Sequence, residues 1–282
     1  MRLRRTPQPV SQPISPARPL CSRPARAALS AVLVGSFALF AAPVSAAGAA
    51  AASLAGIDFA PHALAAHSAT LHGRAASDLS FASSTNWGGY AAASTRYTSV
   101  GSTWTEPSAS CGSSTTYASF WTGLDGYNSG SVEQTGTLVE CSGGSPHQFS
   151  WYEMYPAAPV YFGDTLAAGD TVVSRVTATS SGRFTLFLAD TTRGWSHTVT
   201  KSNSSLARSS AEVIAEAPSS SSGVLPLANF RTVTFRSSTV NGGTLAAAGP
   251  TPITMAGSSG TVKASVGSIS GGGTFSMTWH HA

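Results

Sequence analysis

Ala211-Glu-Val-Ile-Ala-Glu216 has the two-residue period of a strand and carries two acids within six residues. Alternation puts Glu212, Ile214 and Glu216 on one face, and Ala211, Val213 and Ala215 on the other. Charged residues are depleted in strands, and a Glu beside an apolar neighbour is costly unless something satisfies or uses it. Beyond position 82 the chain has ten Asp and Glu, so two of them in one strand mark this segment for chemistry.

The same reading extends outward. Thr171-Val-Val-Ser-Arg-Val-Thr-Ala178, Phe184-Thr-Leu-Phe-Leu188, Arg231-Thr-Val-Thr-Phe235 and Thr274-Phe-Ser-Met-Thr-Trp279 are short runs rich in β-branched and aromatic residues. Turn signals such as Ser181-Gly182 and Asn241-Gly242-Gly243 separate them, and no capped apolar stripe of helical period appears. Many short strands at this spacing predict an all-β fold, an antiparallel sandwich or barrel. The serine-rich Ser219 to Gly223 reads as a mobile loop beside Glu216.

The first 82 residues stand apart. Six arginines precede Ala27, an uncharged apolar run covers Ala27 to Ala42, and Pro43-Val-Ser-Ala-Ala47 offers a cleavage site after Ala46. This is the layout of a secretory signal over 1–46, followed by a propeptide or disordered spacer over 47–82 and one domain over 83–282. A single transmembrane anchor is the competing reading of the apolar run, but no Lys or Arg follows it to stop transfer. His62, His67 and His72 in the spacer fit either a pH-sensitive pro-segment or a solvated tail.

The formal charge of +4 belongs to the leader, with seven arginines before residue 75. From Phe81 onward nine Lys and Arg face ten Asp and Glu, 9 − 10 = −1, which excludes a basic nucleic-acid binder. So few charges leave few ion pairs for acid to break. Cys21 leaves with the leader, so Cys111 and Cys141 remain as an even pair and are expected to form a disulfide in an oxidising compartment.

The chemistry is narrowed first by what is missing. There is no HExxH, GxSxG, P-loop or dinucleotide fingerprint, nothing supports a Ser-His-Asp triad, and neither a metal nor a cofactor is expected. Phe149, Trp151, Glu153 and Tyr155 share one face of an alternating segment, which reads equally as a substrate wall or as ordinary core around a satisfied Glu. Gln134 lies on a predicted strand, and Gly136 beyond it would let a peptide backbone approach closely.

Asn86-Trp-Gly-Gly-Tyr90, Trp121-Thr-Gly-Leu-Asp-Gly126, Gln134-Thr-Gly136, Trp151-Tyr-Glu-Met-Tyr-Pro156 and Ala211-Glu-Val-Ile-Ala-Glu216 occur in that order. Together, over roughly Thr85 to Trp279, they resemble the glutamic peptidases (eqolisins), which are pepstatin-insensitive acid endopeptidases. The resemblance implies a sandwich of two bent seven-stranded antiparallel sheets, of jelly-roll or concanavalin-like form, with a cleft on the concave side. It also implies a catalytic Gln and Glu, which match Gln134 and Glu216 by motif, with Trp121, Asp125, Trp151, Glu153 and Tyr155 at cleft positions. Glu212 is the alternative acid. The two glutamates stand about 13 Å apart along the strand, so they cannot both serve one scissile bond. The family usually has Asp after the second Glu, whereas this chain has Ala217.

The expected activity is therefore secreted, metal-free hydrolysis of protein or peptide substrates at acid pH by a monomer that binds neither nucleic acid nor, once mature, a membrane. The competing readings are a lectin-like carbohydrate-binding sandwich and a jelly-roll glycoside hydrolase. The latter lacks an alternating acidic strand of the ExDxE kind.

Overall fold

The computed structural model describes residues 54–59, 65–68, 80–203 and 207–282. The signal-like run and its cleavage site lie outside the described residues. Fourteen principal strands follow in order: β1 Ser80–Ser84, β2 Trp87–Ala92, β3 Ser99–Thr105, β4 Thr116–Leu124, β5 Val132–Ser142, β6 Ser145–Tyr155 and β7 Thr171–Ala178, then β8 Arg183–Asp190, β9 Trp195–Ser202, β10 Ala211–Glu216, β11 Thr232–Val240, β12 Thr251–Ala256, β13 Val262–Val266 and β14 Phe275–Trp279.

The pairings resolve them into seven and seven. One sheet runs β6-β5-β4-β10-β2-β12-β1, antiparallel except for the parallel β12–β1 pair. The other runs β9-β8-β7-β3-β11-β14-β13 and is antiparallel throughout. A short pairing of β12 with β13 joins the two sheets at a corner. The expected all-β antiparallel architecture is present.

Alternation decides which side chains face which layer. Val213 and Ala215 of β10 and Phe120 of β4 enter the main core with Trp104, Val176, Leu186, Phe235 and Phe275 of the other sheet. Ile214 and Trp121, one residue out of phase, turn to the opposite face with Trp87, Trp151 and Ile253. The first sheet therefore has apolar side chains on both faces, and its outer one carries the candidate site. Leu54, Ile57 and Phe59 are buried in this second cluster.

Cys111 and Cys141 form the expected disulfide, with Cα atoms 5.3 Å apart. Closing a loop across 30 positions constrains the unfolded chain by an amount on the order of 3–4 kcal/mol. The Ser219 loop differs from expectation. Ser219–Ser220 pairs with Gly223–Val224 as a small hairpin. The main-chain N–H and C=O of Ser219 are also both taken by Asp58, at 2.9 Å each. With those groups satisfied, the start of the segment is fixed in place.

Candidate active site

Gln134 on β5 stands directly across from Glu153 on β6. Its side-chain nitrogen donates to Glu153 Oε2 over 2.6 Å and to the main-chain oxygen of Phe59 over 2.7 Å. Both amide hydrogens are thus committed, and the acceptor Glu153 fixes which end of the amide faces Phe59. Burial pushes the Glu153 carboxyl up to about 8, opposed by the Gln134 amide, reinforced by Asp58 and opposed again by the Phe59 main chain.

Two glycines shape the lane beside Gln134. Gly123 faces Gln134 on one side and Glu212 on the other. A Cβ there would lie 2.9 Å from Trp121 Cζ3 and 3.1 Å from Gln134 Cβ, so its absence admits the Trp121 ring. At Gly136 a Cβ would lie 2.1 Å from the Phe120 oxygen and 2.6 Å from Trp121 Cβ. The close approach expected at Gly136 is therefore real, but the neighbour is the chain's own strand β4 rather than a peptide.

Glu216 ends β10, opposite Ser119 on β4 and Trp87 on β2. Its Oε2 accepts from the Trp121 indole N–H over 2.7 Å, and its Oε1 accepts from Asn86 Nδ2 over 3.0 Å. Asn86 is oriented in turn by the Ser84 hydroxyl, which donates to Asn86 Oδ1 over 3.0 Å. Burial pushes the Glu216 carboxyl well above the usual range, the Trp121 N–H opposes this, and Glu153 and Asp58 add to the rise.

The first acid of the strand, Glu212, keeps other company. Burial raises Glu212 too, but its charged neighbours are Asp125 and Glu133. Glu133 is itself pushed up to about 9, first by burial and then by Asp125. Asp125 has a positive φ of 68° and accepts from the main-chain N–H groups of Arg208 and Ser209 over 2.8 and 2.7 Å. Its hydrogen bonds anchor the approach to β10 and do not reach Gln134. The polar side chains thus fall into two groups: Gln134, Glu153, Asp58 and Glu216 in one, and Asp125, Glu133 and Glu212 in the other.

Trp151 lies across from Gly136 and stacks on Phe59, with ring centroids 3.9 Å apart and planes 9° apart. Tyr155 packs half-buried against the same cluster. Trp121 and Trp87 meet edge to face at 4.9 Å. Of the residues expected at the site, Trp121, Gln134, Trp151, Glu153, Tyr155 and Glu216 gather on the outer face, whereas Glu212, on the same face of its strand, groups with Asp125 instead. Asn86, Asp58 and Phe59 were not expected there. Asn86 sits inside a quoted motif, but its role depends on a partner 130 positions away.

The Peptidase A4 family model matches residues 85–279. Among characterised proteins, aspergillopepsin-2 of Aspergillus niger is 30% identical over 184 residues, covering 57% of this chain and 65% of that protein. Scytalidopepsin B of Scytalidium lignicola is 35% identical over 136 residues, covering 46% of this chain and 51% of that protein. The chain thus spans less than two thirds of the length of either. Among solved structures, scytalido-glutamic peptidase with a peptide-based transition state analog superposes with a TM-score of 0.61 at 29% identity, covering 70% of this chain and 98% of that one. Aspergilloglutamic peptidase from Aspergillus niger gives 0.53 at 29% identity, covering 58% and 99%.

Proposed function

The chain belongs to the Peptidase A4 family, and from that premise we propose that it is a secreted acid endopeptidase whose Gln134 and Glu216 divide the hydrolysis of a peptide bond. The observation that carries this reading is the Gln134 amide holding a main-chain carbonyl oxygen at 2.7 Å, on the same sheet face as a buried, hydrogen-bonded carboxyl.

Peptide hydrolysis needs a base for water, a donor for the developing oxyanion and a proton for the leaving amine. Glu216 as carboxylate takes a proton from water while the water oxygen bonds to the carbonyl carbon. The Gln134 N–H holds the oxygen as its charge develops. Collapse breaks the C–N bond, and Glu216 returns its proton to the nitrogen, leaving a new carboxyl and a new amine. Gln134 does not titrate, so one carboxyl carries every proton. In the covered cleft burial pushes the Glu216 carboxyl well above the usual range. Once water reaches it, its value falls toward the ordinary range, where a carboxylate exists at acid pH. Glu153 keeps the Gln134 amide facing the carbonyl and does not enter the proton transfers.

The leader over 1–46 is assigned to export, and the protein acts on peptide or protein chains as a monomer. The test is acid-incubated full chain with a denatured protein at pH ~3–4, near the free carboxyl value, with and without pepstatin. The reading requires proteolysis that pepstatin leaves unchanged, because the proposed pair is a Gln and a Glu rather than two Asp sharing a proton. Glycan binding or sugar release without proteolysis would overturn it in favour of a carbohydrate-directed sandwich.

A further inference from the structure

The stretch Leu54–Phe59 lies against the outer face of the first sheet, on the residues assigned above to catalysis. Its contacts have the form of substrate recognition. Asp58 and Ser219 exchange a pair of main-chain hydrogen bonds of 2.9 Å, so the segment adds to a strand edge as an antiparallel neighbour. The next carbonyl along, that of Phe59, accepts from Gln134. The Phe59 ring lies flat on Trp151, and both side chains are fully buried. Leu54 and Ile57 fill the rest of the apolar cluster around Trp87, Trp121 and Ile214.

Which residue of a bound chain sits where follows from the carbonyl. In the proposed reaction the oxygen held by Gln134 belongs to the bond that breaks. The residue owning that oxygen lies on the acyl side, and here that residue is Phe59. Its side chain meets one face of an indole at stacking distance, a surface that suits a flat ring and offers much less to a small or branched side chain.

We propose that Phe59 occupies the position of the residue preceding the cleaved bond, so that Trp151 forms a subsite selecting an aromatic side chain there and Leu54–Phe59 acts as an intramolecular, substrate-like inhibitor. This rests on the assignment of Gln134 to the reaction. It adds which side chain the cleft selects and which segment of the chain competes for it. A peptide of the same register must displace Phe59 before it can reach Gln134, so removing the Phe59 ring weakens the competitor and leaves the cleft intact.

The experiment uses the full chain, wild type and Phe59→Ala, with acid-stable peptides identical except for Phe, Tyr, Leu, Ala or Ser at one position. Cleavage positions are mapped by mass spectrometry. Before any acid incubation, Phe59→Ala should hydrolyse the Phe peptide about tenfold or more faster than wild type, a difference typical of emptying one apolar pocket. Both chains should cut after Phe and Tyr in preference to Ala and Ser by a similar factor. Trp151→Leu should level that ratio, which a purely structural loss would not do. Wild-type digests supply the preference map even where Phe59→Ala fails to fold. A free Leu-Ala-Gly-Ile-Asp-Phe amide should inhibit competitively, and its Phe→Ala version should not. Proteolysis with no aromatic preference and no inhibition by the peptide would overturn this inference while leaving the peptidase reading intact. Absence of proteolysis from both chains on every peptide would sink both.

Discussion

Trp121 donates its indole N–H to Glu216 over 2.7 Å from an adjacent strand, so the acid at the end of β10 is held by the neighbour that also lies beside Gln134. This bond favours the charged carboxylate against the burial that disfavours it. Trp121→Phe keeps the ring and removes the donor. Without it, the Glu216 value rises further, so the acid limb of the pH–rate profile should shift to higher pH. The loss of kcat should be about tenfold, as for one hydrogen bond to a charged group. An unchanged profile would detach Trp121 from the ionisation of Glu216.

Glu153 sets the direction of the Gln134 amide through a 2.6 Å bond. Glu153→Leu removes that acceptor and lets the amide turn its oxygen toward the substrate carbonyl, where it repels. The expected result is a fall in kcat of about 10²-fold, near the value of a lost oxyanion donor, with KM nearly unchanged. Glu153→Gln offers an acceptor again and should recover part of it. A change confined to KM would assign Glu153 to substrate binding instead.

Buried carboxyls give the fold an acid-stable bias. Burial raises Glu106 to about 7, opposed by hydrogen bonds from Thr137 and Trp104, and raises Glu133 to about 9. Each folded-state value lies above the unfolded one, so the folded state binds more protons between the two. The stability is present in full below about pH 4.5 and is lost as pH rises through 7 to 9. For Glu106 alone the loss is on the order of 3 kcal/mol. Thermal unfolding of the full chain should give its highest Tm near pH 4 and a decline toward pH 8, with Glu106→Gln flattening the part between about 5 and 7. A Tm that climbs from pH 4 to 8 would refute this account.

At Gly136 a methyl group would meet the Phe120 carbonyl at 2.1 Å and Trp121 Cβ at 2.6 Å. Neither is the free end of a flexible chain, so Gly136→Ala has to separate β4 from β5. The expected cost is about 1–3 kcal/mol, as for overpacking, together with reduced activity because Trp121 shifts. Urea unfolding compared with the neighbouring Thr137→Ser measures the first effect. Equal midpoints would show that the strands yield.

Much of the architecture can be read from local pattern, because two-residue alternation separates Val213 and Ala215 from Ile214, and Phe120 from Trp121, onto different faces. The site is only partly legible in that way. Spacing along β10 separates Glu212 from Glu216 but does not say which one meets the machinery. That depends on Trp121 and Asn86, brought in from the two flanking strands by register. The grouping of Asp125 with Glu133 and Glu212 is equally non-local. Leu54–Phe59 is not legible in the sequence, because three apolar residues within an Ala, Gly and Ser background give no period. Their partners, Trp151, Gln134 and Ser219, lie about 75 to 160 positions further along the chain.

The central claim is that Glu216, working with Gln134, moves the protons. The most direct test compares kcat/KM for one peptide at pH ~4 among wild type, Gln134→Ala, Glu216→Gln and Glu212→Gln, each checked for folding by circular dichroism. The account predicts losses of about 10³-fold or more for Glu216→Gln and about 10²-fold or more for Gln134→Ala, with Glu212→Gln within about tenfold of wild type. Retained proteolysis in folded Glu216→Gln, with activity lost in Glu212→Gln, would contradict it.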